Sequence, residues 1–294
     1  LLAAFSLAIS PVFIIEAAHI LTETLYVCFV TGGLWLYVES LPVRNDESPR
    51  NHALLILAGA AVMLGLAALT RAVVLAFPLG LALHLLLVYG WRTGAAWRRI
   101  ALLLVVFGLV GVLPVSINYT RTLSAFLYTG AAGWDDPEAF DQQLAEISPE
   151  LDYADAAESV IASDPLGWAG RRVGELASAY LQPHGTTFFP GASLRDLALD
   201  WARNDRSLAG LAALTQGDYF WQKLVLYVLH YAGIIGGLVG MWWYRRRWRV
   251  ALPLIGFIVY TSLLHLALYA LPRYLFPNEV FWWVFAAAAI SRVL

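Results

Sequence analysis

The sequence predicts an all-α membrane protein: a polytopic bundle of about seven transmembrane helices plus an N-terminal stub, with one mainly helical extracytoplasmic loop domain. Hydrophobic residues make up 60% of the 294 residues and charged residues only 14%, whereas soluble domains are nearer half apolar and a quarter charged. Apolar stretches long enough to cross ~30 Å of hydrocarbon recur along the chain. This composition excludes a soluble enzyme, a disordered chain and a nucleic-acid-binding protein, and the net charge of −2 attracts no polyanion.

Seven apolar stretches follow an opening stub, residues 1–9, that ends at Ser10-Pro11. Each stretch is close to the ~20 residues that a membrane-spanning helix requires. They are residues 21–39, 53–70, 73–90, 100–117, 224–244, 250–271 and 277–294. Since the chain begins and ends within apolar runs, we expect it to be part of a longer protein with further spans upstream of residue 1.

The arginines predict the orientation of these spans. Arginines cluster in the loops 41–52, 91–99 and 245–249. Because successive spans alternate in direction, these three loops lie on one side of the membrane. The positive-inside rule makes that side cytoplasmic. The long segment 118–223 then lies outside. From residue 118 to 222 it has 15 of the 21 acidic residues but only 6 of the 19 basic ones, so we expect it to be hydrated. The expected location is a bacterial inner membrane.

Three consecutive parts of the chain are therefore expected, and the loop domain is itself predicted to be helical. The parts are an N-terminal membrane segment, 1–117, the extracytoplasmic domain, 118–223, and the C-terminal spans, 224–294. Within the loop domain, amphipathic patterning predicts helices near 137–147, 154–163, 165–181 and 193–214. The last of these begins with Ser193 three residues before Asp196, the spacing of a capping box.

Glu16, His19 and Glu23 fall on one face of a helix where the chain approaches the first full span. Charged groups at such a depth usually have a paired or functional role. The residues predict either a polar site for a metal, a phosphate-linked cation or a sugar hydroxyl, or a polar turn wetted by headgroups. Glu16 and His19 are the candidate ligands of a divalent metal, although a di-iron site needs a second Glu-x-x-His motif. Cys28 is the single cysteine, which excludes an internal disulfide and a multi-cysteine metal site.

Arg71 and Arg273 lie in two short turns on the predicted outer side, where the positive-inside rule disfavours cations. An anionic partner accounts for both, because the planar guanidinium matches the geometry of phosphate. Snorkelling of these side chains to lipid headgroups is the other interpretation.

His230 and His265 lie at matching depths in adjacent predicted spans. One interpretation is a pair of ligands for a haem or chlorophyll; the other is a pair of hydrogen-bonded histidines lining a polar cavity. His84 lies near the cytoplasmic end of its span, with no partner visible in the sequence.

Four short motifs occur in order at the predicted outer ends of the spans. Ser10-Pro11 is followed by a connector and Thr22-Glu23, and Leu69-Thr70-Arg71 is followed by an apolar run with Pro78. The other two are Pro114 followed by Asn118-Tyr119, and Pro272-Arg273-Tyr274 followed by Pro277.

In order, spacing and membrane side, these motifs resemble the middle and C-terminal part of GT-C glycosyltransferases. That superfamily includes the bacterial relatives of dolichyl-phosphate-mannose protein mannosyltransferases and the aminoarabinose transferases of lipid A. The chain departs from the family pattern at Ala72, where the family has proline, and at Val115 and Ile117, where it has tryptophan and arginine. The match covers most of the chain and is loosest over residues 120–222.

The resemblance implies an inverting enzyme that moves a sugar from a polyprenyl-phosphate donor to a lipid, glycan or protein acceptor at the extracytoplasmic face. It implies that a carboxylate deprotonates the acceptor hydroxyl and that cations stabilise the departing phosphate. The donor phosphate-binding residues are then Arg71 and Arg273, and a polar site near the outer face comprises Glu16, His19, Glu23 and Tyr274. The family's usual catalytic aspartate belongs to a loop that we expect upstream of residue 1.

Two alternatives stay open. The altered motifs also fit a non-catalytic GT-C-like structural subunit of a larger membrane complex, and the two histidines also fit a haem- or pigment-binding subunit. The expected partners are accordingly a polyprenyl-phosphate sugar and the lipid bilayer, with other membrane subunits as further candidates and no nucleic acid.

Overall fold

A computed structural model describes residues 2–10, 13, 22–42, 50–115, 127 and 153–293. Within these ranges the chain is helical and has no strand, in agreement with the predicted fold class. The helices are α1 Leu2–Ile9, α2 Thr22–Glu39, α3 Arg50–Thr70, α4 Phe77–Tyr89, α5 Gly94–Phe107, α6 Tyr153–Ser163, α7 Pro165–Leu181, α8 Leu194–Asp200, α9 Leu208–Leu214, α10 Phe220–Tyr244, α11 Trp248–Ala267, α12 Pro272–Leu275 and α13 Pro277–Val293. Helix α5 continues through a π-helical turn, Gly108–Val112, into Leu113–Val115.

Helices occupy most of the described part of each of the seven apolar stretches. Four helical stretches in the described residues are long and apolar enough to cross a membrane: 52–70, 72–89, 94–115 and 220–267. The last has 48 residues, about twice the length that one crossing needs, and a short 3₁₀ turn interrupts it at Arg245–Arg247. Helices α2 and α13 are not among the four. These stretches indicate an all-helical membrane protein.

The chain folds into two compact units, each assembled from distant parts of the sequence. Unit 1 contains residues 1–19, 177–243 and 271–294. Unit 2 contains residues 20–176 and 244–270.

Unit 2 is built around α3. Helix α2 lies along it, α5 packs on another side of it, and α4 contacts both α5 and α11. Small residues permit this close packing: a Cβ added to Gly111 would lie 3.0 Å from the Cα of Gly65. A Cβ added to Gly33 would lie 2.9 Å from the side chain of Leu64. In an apolar solvent, helices associate through such contacts because burial of apolar surface gives no driving force.

A buried hydrogen-bond chain joins α2 to α4 in unit 2. The Tyr37 hydroxyl donates to the Leu81 carbonyl at 3.0 Å and lies 2.8 Å from Nδ1 of His84. Since the hydroxyl has one proton, Nδ1 of His84 is the donor to Tyr37. The partner of His84, which is not visible in the sequence, is therefore Tyr37. The His84 ring also lies 6.1 Å from the Trp248 ring, so the C-terminal half of α4 and the start of α11 share one end of this unit.

In unit 1, a glycine face of α10 packs against α13. A Cβ added to Gly237 would lie 2.6 Å from the Trp282 ring, and one added to Gly240 would lie 2.0 Å from the Phe285 carbonyl oxygen. Real Cβ atoms do not approach so closely, so the two backbones touch only because these positions lack side chains. Helix α1 packs on α13 as well.

Lys223, the only lysine of the chain, ties the start of α10 to the loop between α7 and α8 in unit 1. Its side chain is 2% exposed. Its Nζ donates to three successive carbonyls, at 2.8 Å to Pro190, 3.3 Å to Gly191 and 3.0 Å to Ala192. An ammonium has three protons, and all three are used here.

The helices of the predicted loop domain follow the sequence patterns except in one region. Helices α6 and α7 coincide with the predicted 154–163 and 165–181, whereas 137–147 lies outside the described residues. The predicted helix 193–214 is wrong as a single element. It begins as expected, with the Ser193 hydroxyl accepting from the Asp196 amide. Beyond α8 it continues through a π-helical turn, Trp201–Asp205, and stops at Arg206, whose φ of 54° is left-handed. Ser207 then caps a separate helix, α9.

Glycine 240 provides a test of the packing in unit 1. Gly240→Ala forces the backbones of α10 and α13 apart, and we expect the free energy of unfolding in detergent to fall by about 1–3 kcal/mol. Gly256→Ala is the matched control, because an added Cβ at Gly256 in α11 meets nothing within 4 Å and alanine has the higher helix propensity. Equal thermal stability of the two variants would contradict the packing described for α10.

Candidate functional site

Arg71 directly follows the last residue of helix α3 and forms an ion pair with Glu23 of helix α2. The Arg71 amide still bonds to Ala67, at 2.8 Å, but its extended backbone (φ −147°, ψ 113°) turns the chain out of the helix. The Thr22 hydroxyl donates to the other carboxylate oxygen of Glu23 at 3.1 Å. The side chains of Arg71 and Glu23 are only 17% and 13% exposed. The pair is therefore largely buried where two apolar helices end.

Tyrosines surround this ion pair. Tyr26, one turn after Glu23, is 1% exposed, and its hydroxyl has no hydrogen-bond partner among the described residues. Tyr260 of α11 donates to the Val73 carbonyl. Both Tyr26 and His265 lie close enough to Arg71 to sense its charge. We call this part of the molecule the Arg71 end of unit 2. It contains the start of α2, the last turn of α3 with the start of the 3₁₀ turn that follows, and the last turns of α11.

A second arginine is buried in the same unit, beside the C-terminal end of α11. Arg172 of α7 is 2% exposed, donates to the Leu268 carbonyl at 3.1 Å and pairs with Glu175. Its guanidinium carbon lies 6.0 Å from the centre of the Tyr269 ring, and the Tyr269 carbonyl accepts from His265 Nδ1 at 2.9 Å. Carbonyls at a helix C-terminus attract cations, which explains why Arg172 is tolerated there.

Sequence analysis did not identify Arg172, although a signal for it exists. Arg171 and Arg172 are adjacent, but residues one position apart point about 100° apart on a helix. Trp168 and Ala179 share the helix face of Arg172, at spacings of four and seven residues. Arg172 therefore faces the apolar side, whereas Arg171 is 41% exposed.

Arg273 and Tyr274 belong to unit 1, in the short helix α12. Arg273 is exposed; its Nη2 lies 3.1 Å from the Tyr274 hydroxyl, to which it donates, and its guanidinium carbon lies 4.9 Å from the ring centre. Arg71, by contrast, lies in unit 2.

His230 has hydrogen-bond partners at both ring nitrogens. Nε2 lies 2.8 Å from the Tyr180 carbonyl and Nδ1 lies 2.9 Å from Oε1 of Glu279. A haem ligand needs an available ring nitrogen, so ligation by His230 would require one of these bonds to break. Glu279 is a functional candidate that sequence analysis missed, because it stands 49 residues from His230 in the chain.

Two predicted site residues, Glu16 and His19, lie outside the residues that the structure describes. In the part of the chain that is described, no group of three or more His, Cys, Asp or Glu side chains is arranged to hold a metal ion.

No protein-family model, curated protein or solved structure matches the chain. The resemblance to GT-C enzymes therefore depends on the sequence motifs alone. Two of those motifs, Thr22-Glu23 and Leu69-Thr70-Arg71, meet directly through the ion pair at the Arg71 end.

The ion pair at the Arg71 end should contribute more to stability than an exposed one. Glu23→Gln removes the negative charge facing a largely buried guanidinium, and we expect the free energy of unfolding to fall by about 2 kcal/mol. Asp164→Asn is the control, since Asp164 and Arg171 are 3.9 Å apart with 62% and 41% of their side chains exposed; it should change stability by less than about 0.5 kcal/mol. Asparagine also keeps the cap that Asp164 provides to α7. Chemical denaturation in detergent measures both, and a larger loss in Asp164→Asn would refute the comparison.

Proposed function

We propose that this chain is a GT-C type glycosyltransferase that moves a sugar from a polyprenyl-phosphate donor to a lipid, glycan or protein acceptor at the extracytoplasmic face of a bacterial inner membrane. The observation that supports this proposal is the Arg71–Glu23 pair, a nearly buried guanidinium at the end of apolar helices. A largely buried cation at the end of apolar helices suits a ligand whose anionic headgroup is attached to a long apolar chain.

The electrostatics of Arg71 fit the chemistry of a departing phosphate. When the sugar–phosphate bond breaks, the polyprenyl phosphate gains negative charge, and a guanidinium already held in place stabilises that charge without reorganising. Low dielectric surroundings strengthen this effect. In the resting state Glu23 occupies the fork of Arg71 and offsets its charge, and the donor phosphate takes part of that place when it binds. Arg273, exposed beside the Tyr274 ring in unit 1, is proposed as a phosphate-binding residue on its sequence motif alone.

The prenyl chain of the donor needs an apolar surface. Helix α3, which stops just before Arg71, and helix α4, which begins shortly after it, provide one. Large aliphatic side chains are exposed along these helices: Leu55 and Leu69 in α3, and Leu79, Leu83 and Leu87 in α4. In water such a surface would be unfavourable, whereas hydrocarbon from lipid or prenyl chains covers it in the membrane.

We propose a topology of about seven spans with the segment 118–223 outside. The ring contact between His84 and Trp248 supports it, because it puts the arginine-containing turns after α4 and before α11 at the same end of unit 2. Arginines pack on aromatic rings in both regions: Arg92 lies 4.7 Å from the Trp91 ring centre and Arg249 lies 5.7 Å from that of Trp248. Such pairs are typical of the membrane–water interface on the cytoplasmic side.

Loss of the two proposed phosphate ligands should weaken donor binding. Arg71→Gln and Arg273→Gln should each reduce the affinity for polyprenyl phosphate in nanodiscs about tenfold, equivalent to about 1.4 kcal/mol, and the double variant should abolish donor turnover. Arg203→Gln, at another exposed arginine, should leave affinity unchanged. Polyprenol, which lacks the phosphate, should bind all variants alike. Full donor turnover by the double variant would exclude these arginines from the site, and the alternative of a non-catalytic subunit would then take precedence.

The proposed topology can be tested by cysteine labelling. In a Cys28→Ser background, Asp155→Cys in α6 and Arg246→Cys in the turn before α11 each introduce one exposed thiol. A membrane-impermeant maleimide applied to intact spheroplasts should label position 155 at once and position 246 only after permeabilisation. Labelling of both positions from the same side would contradict the span count, and the reverse pattern would contradict the orientation.

A further inference from the structure

We propose that unit 2 binds an anionic phospholipid at the end opposite to Arg71, where two arginine-containing segments meet. One segment is the turn between α4 and α5, and the other is the 3₁₀ turn before α11 together with the first residues of α11. We call this part of the molecule, residues 89–99 and 244–250, the basic end of unit 2. The site is separate from the donor-phosphate site proposed for Arg71 and does not depend on it.

Helix α11 connects the basic end to the Arg71 end. It has 20 residues, so its two ends are about 30 Å apart. That distance matches the ~30 Å thickness of the hydrocarbon core of a bilayer. With Arg71 near one surface of this core, the basic end lies at the other surface, at the depth of the phospholipid headgroups.

Contacts between aromatic side chains and helices bring the two arginine-containing segments together. Helix α4 packs on both α5 and α11, and the ring centres of His84 and Trp248 are 6.1 Å apart. The indole N–H of Trp97 donates to the Trp91 carbonyl at 2.9 Å, which ties the start of α5 to the end of the turn after α4. Segments about 150 positions apart in the sequence therefore form one end of the unit.

The basic end has a large excess of positive charge. Neither residues 48–134 nor residues 219–278 include an aspartate or a glutamate. Among the described residues, Glu39 supplies a carboxylate near this end, because Tyr37 in the same turn of α2 bonds to His84. Seven guanidinium groups outnumber this carboxylate and attract an anion. They belong to Arg92, Arg98, Arg99, Arg245, Arg246, Arg247 and Arg249.

Aromatic rings hold several of these arginines without using their hydrogen-bond donors. The guanidinium carbon of Arg92 lies 4.7 Å from the Trp91 ring centre, and that of Arg247 lies 5.3 Å from the Tyr244 ring centre. Both arginines are exposed. A ring restricts the side chain but supplies no hydrogen-bond acceptor, so the N–H groups are directed to the surroundings. Phosphate oxygens are the acceptors that a guanidinium binds best.

The apolar neighbours of these arginines favour a lipid over a soluble anion. Val250 and Leu252 are exposed directly after Arg249, and Trp91 and Trp97 are exposed in the other segment. An anionic phospholipid satisfies both kinds of surface, because its phosphate contacts arginine and its acyl chains cover the apolar side chains. A choline headgroup adds a cation that the arginines repel. Phosphatidylglycerol, whose headgroup has a net negative charge, is therefore the expected ligand.

The test uses the full chain in a neutral maltoside detergent, with phosphatidylglycerol and phosphatidylcholine of identical acyl chains as probes. Native mass spectrometry measures the affinity for each lipid. We expect phosphatidylglycerol to bind about tenfold more tightly than phosphatidylcholine. The preference should shrink when ammonium acetate is raised from about 0.1 M to about 1 M, because the Debye length falls from about 10 Å to about 3 Å. Glycerol 3-phosphate, which has the phosphate but no acyl chains, should not bind at the same concentration.

Substitutions then assign the preference to the basic end. The double variant Arg92→Gln/Arg246→Gln removes one exposed arginine from each segment and should weaken phosphatidylglycerol binding about tenfold. The matched control, Arg171→Gln/Arg203→Gln, removes the same charge at exposed positions of the predicted loop domain and should bind as the unaltered chain does. Arg71→Gln should also bind phosphatidylglycerol normally, so a failure of this site and a failure of the donor site are distinguishable.

Three results would overturn the proposal: equal affinity for the two lipids, equal binding of glycerol 3-phosphate, or unchanged phosphatidylglycerol binding in the folded Arg92→Gln/Arg246→Gln variant. The last result is the one expected if these arginines served only to orient the spans during insertion. If gel filtration shows that the double variant does not fold, the lipid comparison and its dependence on ionic strength in the unaltered chain decide the outcome.

Discussion

The requirement that a buried charge find a partner inside the protein governs this structure. Within hydrocarbon, water is not available to solvate an unsatisfied group, and each such group is costly. The chain meets the requirement in three chemically different ways. Arg71 faces a carboxylate, Lys223 faces three carbonyls, and His230 lies between a carboxylate and a carbonyl. Each of these contacts joins segments that are far apart in sequence, so the same contacts that satisfy the charges also determine which helices are neighbours.

Helix positions could be predicted from the sequence because they depend on local composition. The apolar runs, the cap at Ser193 and the proline before α7 each act within a few residues, and the observed helices follow them. The break at Arg206 could not be read in the same way. Residues 203–207 are all polar, but polar residues also cover the solvent face of a continuous helix, so they do not by themselves predict a break. The left-handed backbone at Arg206 and the cap at Ser207 mark where the helix stops.

The candidate sites were only partly predictable, because side-chain pairing depends on how helices pack. Arg71 and Glu23 were both recognised as unusual charges at span ends, but nothing local joins residues 48 positions apart. His230 and His265 lie at similar depths in their predicted spans, which suggested that they were partners. The His230 ring instead bonds to Glu279 and to the Tyr180 carbonyl. Depth in a membrane is a one-dimensional quantity. It does not contain the rotation of a helix about its own axis, which decides the partner.

The arrangement of Lys223 has a chemical consequence. It is the only side-chain primary amine in the sequence, and its three protons are committed to the loop carbonyls of residues 190–192. An amine reacts only when it is accessible, and Lys223 is buried in the folded unit. Acylating reagents and lysine-directed proteases therefore gain access to this side chain only when the loop detaches from α10. The residue is thus a built-in reporter of local opening in unit 1, with no competing lysine to obscure it.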